Sequence, residues 1–280
     1  MQVQRIAAFS NGDSGGNPAG VVIAPALPDA PAMQGIAAEV GYSETAFAAP
    51  EGNGWRVRYF APAMEVPFCG HATIALGAAL ALRQGDGRFP LRLNQAEITV
   101  EGWREGGRLQ AALQSPPTTS TPARDDLVER TLYLFGWDAS MLDSRIPPSV
   151  AQAGARHLVL ALRDHATLRD MHYAMDAGRA LMEAEGLVTI AIVHSAAPDL
   201  FHARNAFAAG GVAEDPATGA AAAALGGLLR DIGWPHGGRI TIQQGDDMGM
   251  PSRLLTSIPH GQGVSVRVSG QARIMAEVEG

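Results

Sequence analysis

A carboxylate, a thiol and an imidazole stand out in this chain because few other groups near them can do chemistry. Glu44 lies in Gly41-Tyr-Ser-Glu-Thr-Ala-Phe-Ala-Ala49 and is the only charged residue between Glu39 and Glu51. A carboxylate among apolar and small neighbours is desolvated, the setting of a general base that takes a proton from carbon and returns it elsewhere. The same pattern also suits a solvent-facing Glu on a half-buried strand. Cys69 and His71 flank Gly70 just ahead of an Ala-rich run. A helix N-terminus stabilises a thiolate, whereas a lone buried Cys commonly packs, and Cys69 fits both descriptions. Further along, Asp215 and Thr218 stand before Gly219, Ala220 and a second Ala-rich run.

The two Ala-rich runs belong to one repeated block. Glu65-Val-Pro-Phe-Cys-Gly-His-Ala-Thr-Ile-Ala-Leu-Gly-Ala-Ala-Leu80 returns 149 residues later as Glu214-Asp-Pro-Ala-Thr-Gly-Ala-Ala-Ala-Ala-Ala-Leu-Gly-Gly-Leu-Leu229, with 8 of 16 positions identical. A Phe-Ala pair precedes each copy, at Phe60-Ala61 and Phe207-Ala208. So long a period does not fit a solenoid, whose repeats run about 20–50 residues; it fits two copies of one domain. Each copy predicts a Gly-led helix, Gly70–Leu82 and Gly219–Asp231, apolar on every face and therefore buried. The first N–H groups of such a helix have no internal partner and carry partial positive charge. Two of these ends turned to one cleft would hold carboxylate or enolate oxygens without a cationic side chain. Gly and Ala also simply let a helix pack inside a tight sheet, which accounts for the helix bodies better than for the polar His71, Asp215 and Thr218 at their starts.

Composition narrows the chemistry. With 280 residues, 46% of them hydrophobic and 18% charged, the chain can fill one large domain or two smaller ones. The net charge of −7 and the absence of a basic run argue against nucleic acid as a partner. All 21 basic residues are Arg, so no internal Schiff base and no P-loop lysine can form. One Cys excludes an intrachain disulfide, and the eight His have no zinc-type spacing. No metal and no cofactor is expected. Neither a signal-peptide core nor a membrane span is read from the sequence, which predicts a soluble, cytoplasmic protein.

The elements that must position these groups follow from pattern. Strands are predicted at Gln2–Ala8, Gly20–Ala24, Ser43–Ala48, Trp55–Ala61, Arg88–Leu93, Glu97–Glu101 and Arg108–Leu113, with a short helix at Pro31–Val40. Ser115–Pro122 reads as a linker because Pro, Ser and Thr interrupt regular structure. The second half predicts helices at Arg124–Phe135 and between His165 and Glu185. Its strands are expected at His157–Leu162, Leu187–His194, Leu200–Phe207, Arg239–Gln243, Arg253–Ser257 and Gly263–Val268. The expected fold class is α+β: two pseudo-symmetric domains, each a barrel-like, mostly antiparallel sheet wrapped around a central apolar helix. Residues 1–117 form the first and 124–269 the second, with 118–123 between them. A last segment, 270–280, crosses back to the first, and the active site is expected in the cleft between halves.

Taken together, several pieces resemble the PhzF-like isomerases, relatives of diaminopimelate epimerase. They are Gly16-Asn-Pro-Ala-Gly-Val-Val22, Ser43-Glu-Thr-Ala-Phe47, Pro67-Phe-Cys-Gly-His-Ala-Thr73, Glu214-Asp-Pro-Ala-Thr-Gly219, and Gln244-Gly245 with Pro251-Ser252. They occur in family order over most of the chain, although Thr118 to His202 carries no matching motif. The resemblance implies the diaminopimelate epimerase-like fold, a homodimer, and catalysis without cofactor or metal. It implies Glu44 as the catalytic acid/base moving a proton between carbons of a small carboxylic acid, assisted by His71 and Asp215. Gly70, Thr218, Gly219 and Ala220 match the substrate-holding helix starts, and Asn17 matches the loop beside the pocket. Two departures stand out. Ala220 occupies a position where the family often has Ser, which leaves the substrate open. Pro216 stands where the epimerase relatives carry their second cysteine, which excludes a two-cysteine racemase. The alternatives are an epimerase or lyase using Glu44 with Cys69 or His71, and a carboxylate-binding protein without catalysis.

Overall fold

The computed structural model of the chain describes residues 1–276. Local signals account for its first helix. Asp29 accepts a hydrogen bond from the Ala32 N–H at 2.9 Å, Pro31 follows at the first turn, and Gly41 ends the helix in the left-handed region at φ 71°. Such a residue pair, a side-chain cap before and a glycine after, satisfies the end groups that a helix leaves open.

The chain forms two compact units, Met1–Gln114 with the described residues from Ser269 onward, and Ser115–Val268. In the first unit the elements are β1 (Gln4–Ser10), β2 (Asn17–Ile23), α1 (Ala30–Val40), β3 (Thr45–Glu51), β4 (Gly54–Phe60), β5 (Glu65–Val66), α2 (Gly70–Gln84), β6 (Gly87–Arg92), β7 (Glu97–Glu105) and β8 (Arg108–Pro117), whose last residues begin the second unit. The second unit continues with β9 (Thr119–Pro122), α3 (Asp125–Phe135), β10 (Ser149–Gln152), β11 (Arg156–Ala161), α4 (His165–Arg169) and α5 (Met175–Glu185). It goes on through β12 (Thr189–Ala197), β13 (Leu200–Ala206), β14 (Glu214–Asp215), α6 (Gly219–Asp231), β15 (Arg239–Gln244), β16 (Ser252–Ser257) and the first part of β17 (Ser265–Ile274).

The duplication is visible in the pairing. In the first unit β2 and β3 run parallel, β3 and β4 antiparallel, β5 caps β4, and β4 runs parallel to β6, which pairs antiparallel with β7. In the second, β11 and β12 are parallel, β12 and β13 antiparallel, β14 caps β13, and β13 runs parallel to β15, which pairs antiparallel with β16. Each sheet folds over its repeat helix. In α2 every residue from His71 to Ala81 is buried, and in α6 Gly219 and every residue from Ala221 to Leu229. Small side chains on all faces are what a helix needs when strands approach from several directions.

Several sequence expectations change. The segment read as a linker is ordered. Thr119–Pro122 pairs in register with Gln152 to Ser149, because β-branched Thr suits a strand and Pro122 stands at its end. Ser43 and Glu44, expected on a strand, lie in the bent connection from the left-handed Gly41 to β3, which begins at Thr45. The expected crossing segment is represented by β17, whose residues Gln271 to Ile274 pair with β1 from Ser10 back to Ile6; its end, 277–280, lies outside the described residues. Among the described residues, no helix is long and apolar enough to cross a membrane.

Candidate active site

In the first unit the chain turns from an extended Cys69 (φ −142°) into α2 at Gly70, and no side chain caps the first turn. The leading N–H groups of α2 are thus of the kind that bind anions. The turn is held from inside the unit. Thr73 Oγ1 donates to the Cys69 carbonyl at 2.6 Å, and the Tyr59 hydroxyl lies 2.6 Å from Thr73 Oγ1. Burial pushes the Tyr59 phenol well above its usual range, so it stays neutral.

Glu44 reaches the same place from the residue directly before β3. Its carbonyl accepts from the Gly20 N–H at 3.2 Å, which ties the turn to β2. A side chain at Gly20 would bring Cβ within 2.6 Å of Thr45 Oγ1, so the tie requires glycine. The Glu44 side chain is 14% exposed, its Oε2 lies 3.4 Å from His71 Nε2, and that oxygen has no hydrogen-bond partner. Ser43 Oγ is 3.3 Å from the same His71 nitrogen, while Cys69 Sγ is 3.3 Å from His71 Nδ1. The imidazole therefore sits between a thiol and a carboxylate. Asn17 is buried at the head of β2, opposite Ala8. Next to Ala8, Phe9 (φ 61°) is the one non-glycine with positive φ among the described residues, a strained conformation of the kind found near functional sites.

In the second unit Thr218 Oγ1 donates to Asp215 Oδ2 at 2.5 Å. Gln244 ties the turn together: its Nε2 donates to the Asp215 carbonyl at 2.6 Å and to Thr218 Oγ1 at 3.1 Å, and its Oε1 accepts from the Thr218 N–H at 3.3 Å. Gly245 (φ 80°) follows with no space for a side chain, since Cβ would lie 2.4 Å from the Met250 carbonyl. Gly219 is buried and Ala220 half-buried at the start of α6.

The chain matches the phenazine biosynthesis-like protein family, PhzC-PhzF, over residues 6–278, nearly its whole length. It belongs to that family. It is 31% identical to an uncharacterized isomerase of Deinococcus radiodurans, in an alignment spanning 97% of this chain and 92% of the relative. It is 32% identical to the trans-2,3-dihydro-3-hydroxyanthranilate isomerase of Pseudomonas aeruginosa, over 88% and 86% of the two chains. The crystal structure of the Bacillus anthracis phenazine biosynthesis protein of the PhzF family shares the fold with a TM-score of 0.84 at 21% identity, covering 99% of this chain and 98% of that one. This PhzC-PhzF protein is, by family, an isomerase.

The fold of this PhzC-PhzF protein brings Glu44, Gly70 and His71 together in one unit and Asp215, Thr218, Gly219 and Ala220 in the other. Two contributors, Ser43 and Gln244, have no role in the sequence reading. In sequence Ser43 shows only as a neighbour of Glu44. Gln244 shows only as part of the Gln244-Gly245 motif, and a polar side chain directly before a glycine is the available signal. Cys69 fits two readings in sequence, and its contact with His71 depends on the turn into α2.

Proposed function

We propose that the protein is a cofactor-independent isomerase in which Glu44 removes a proton from one carbon of a small carboxylic acid and returns it to another. The observation that carries this reading is the buried Glu44 Oε2, without a hydrogen bond and 3.4 Å from His71 Nε2. A carboxylate oxygen with no competing donor is free to accept a proton from carbon, and a neighbouring imidazole can share or stabilise that proton. The negative charge left on the substrate would spread toward its carboxylate, where the uncapped N–H groups of α2 offer preorganised donors. Asp215 and Thr218 are assigned to substrate binding and proton movement at the start of α6, with Asn17, Gly70, Gly219 and Ala220 as backbone or wall contributors.

The substrate class follows the Pseudomonas aeruginosa relative, whose name specifies a cyclic hydroxylated anthranilate. The proposal here is a small acid with a C–H bond made acidic by a neighbouring double bond. Ala220 lacks the hydroxyl often present in the family, so the acid need not be that one. Screening such acids by NMR in deuterated water identifies a substrate pair. Replacing Glu44→Gln should then lower kcat by roughly 1000-fold, the scale of general acid/base catalysis, while leaving ligand binding intact. A variant that keeps near-normal kcat removes Glu44 from the role. The contact between Cys69 and His71 favours a second reading, an epimerase with a second acid on the thiol side. Deuterium confined to one stereocentre of unrearranged product would select it.

A further inference from the structure

One buried side chain closes the turn that leads into α6. Gln244, 2% exposed at the end of β15, commits its whole amide there. Its Nε2 donates to the Asp215 carbonyl at 2.6 Å and to Thr218 Oγ1 at 3.1 Å, and its Oε1 accepts from the Thr218 N–H at 3.3 Å. A carbonyl only accepts and a backbone N–H only donates, so these partners fix which end of the amide is which. With Nε2 donating to Thr218 Oγ1, the Thr218 hydroxyl keeps its own proton for Asp215 Oδ2 at 2.5 Å. An added Cβ at Gly245 would lie 2.8 Å from the Pro216 carbonyl, so the strand end abuts the turn. The first unit uses another device. There Thr73 of α2 bonds the Cys69 carbonyl, and the repeat puts Ala222 in the place of Thr73.

We propose that Gln244 is a positioning residue for the isomerase reaction, acting through Asp215 and Thr218. The inference rests on the roles proposed for those two residues in substrate binding and proton movement. The three bonds have two consequences. They commit the Thr218 N–H, so Gly219 and Ala220 supply the N–H groups that a substrate carboxylate meets at the head of α6. They also aim the Thr218 hydroxyl at one oxygen of Asp215, and a charge-assisted bond of this kind fixes the rotation of the carboxyl group. A carboxyl so held meets each substrate molecule in one orientation, with no reorganisation during reaction. Space-filling between β15 and α6 needs neither an amide nor its orientation.

The first readout needs no substrate. Hydrogen exchange followed by NMR should show the Thr218 amide exchanging at least about tenfold faster in Gln244→Ala, with the amides of the β15–β16 ladder unchanged. Turnover is then measured on the acid that the deuterated-water screen identifies. Gln244→Ala should lower kcat/KM by about a hundredfold per folded molecule, the scale of a misplacement of about 1 Å. Gln244→Glu separates positioning from support. Ionised, the introduced carboxylate has no proton to give to Asp215 or Thr218; protonated, it again donates to the Asp215 carbonyl while accepting from the Thr218 N–H. Burial beside Asp215 favours the protonated form, so the activity of this variant relative to the parent should climb at least about fivefold between about pH 8 and about pH 6. A merely structural role predicts a flat ratio. The proposal fails if Thr218 exchange is unchanged, if Gln244→Ala keeps kcat/KM within about twofold of the parent, or if that ratio is flat. Asp215→Asn and Thr218→Val keep the two readings apart. Should they lower kcat/KM while Gln244→Ala does not, the proposal alone fails; should they too leave it unchanged, the role proposed for the start of α6 fails with it.

Discussion

The starts of α2 and α6 rest on the same scaffold and carry different polar groups. Across the ladders, Thr45 faces Phe60 and Ile190 faces Ala206, while Phe60 and Ala206 each face the repeated Glu of β5 or β14. Matching residues through these registers puts Thr189 where the first unit has Glu44. There a neutral network replaces the carboxylate: Thr189 Oγ1 donates to Asn205 Oδ1 at 3.0 Å and lies 2.8 Å from His157 Nδ1. At the helix starts, Cys69 and His71 correspond to Thr218 and Ala220. The comparison teaches that duplication kept the helix, its glycine turn and its supporting pairs. The Glu44, Cys69 and His71 constellation stands in one copy only, and the matching positions of the other hold Thr189, Thr218 and Ala220.

One kept pair should give the largest contrast in stability. The Glu that opens each repeat meets an Arg on the neighbouring strand in both units: Arg58 with Glu65 at 2.6 Å, and Arg204 with Glu214 at 2.5 Å. The shared Glu thus ties the start of each repeat to the neighbouring strand. The surroundings differ. The side chains of the first pair are 22% and 27% exposed, those of the second 12% and 6%. Arg204 also donates to the carbonyls of Arg169 and Met171 and so locks the end of α4 to β13. Removing one partner of a buried pair strands the other charge at a cost of about 3–5 kcal/mol, whereas a half-exposed pair contributes about 1 kcal/mol. Glu214→Gln should therefore lower the urea midpoint far more than Glu65→Gln. Equal losses would mean that the two pairs are not different in kind.

The second contrast is one of pH. Thr189 gives its hydroxyl proton to Asn205, so His157 must donate through Nδ1, and its Nε2 is buried without a partner. A proton added there would have no acceptor. Burial accordingly depresses His157 from 6.5 to about 4. The unfolded chain then binds a proton that the folded chain refuses. This contribution is full above about pH 6.5 and is lost as pH falls toward 4, amounting to about 3 kcal/mol. Urea titrations at pH 7 and pH 4 measure the loss. His157→Gln should reduce the difference between the two pH values by that amount; an undiminished difference would place the acid sensitivity elsewhere.

How much of this was legible beforehand depended on the kind of signal. The two buried helices were legible because small apolar residues on every face have one structural use, and α6 begins and ends where the repeat predicts, at Gly219 and Asp231. Strands β9 and β10 were not legible. Thr119–Pro122 has no alternation of apolar residues, and it becomes a strand only because Ser149–Gln152 supplies a partner from far along the chain. At the candidate site, Glu44 is visible as an isolated charge, but the apolar run after it extends the expected strand back over Ser43 and Glu44, which lie ahead of β3. The link from Glu44 through His71 to Cys69 required distances, since a gap of 27 residues between Glu44 and His71 says nothing about their 3.4 Å contact.

The smallest expected contrast lies in the helix bodies, at the one glycine both copies keep inside them. At Gly77 an added Cβ would lie 2.5 Å from Val100 Cγ2 and 3.1 Å from the Glu101 carbonyl; facing it, a Cβ at Gly102 would lie 2.2 Å from the Gly77 carbonyl. Helix and strand there touch backbone to backbone, so neither side can yield by turning a side chain. At Gly226 the nearest atom to an added Cβ is Thr256 Cγ2 at 3.0 Å, followed by Ile258 and Val266 side-chain carbons at 3.2 and 3.3 Å, all side-chain atoms able to shift slightly. Alanine favours a helix over glycine by up to about 1 kcal/mol, which acts in both copies. Overpacking costs typically about 1–3 kcal/mol and acts mainly in the first. Gly77→Ala should thus destabilise by about 2 kcal/mol or more, and Gly226→Ala should fall within about 1 kcal/mol of the parent, as read from thermal or urea unfolding. If the order reverses, the tight contact lies around α6, and the first unit has spare room beside the helix that carries His71.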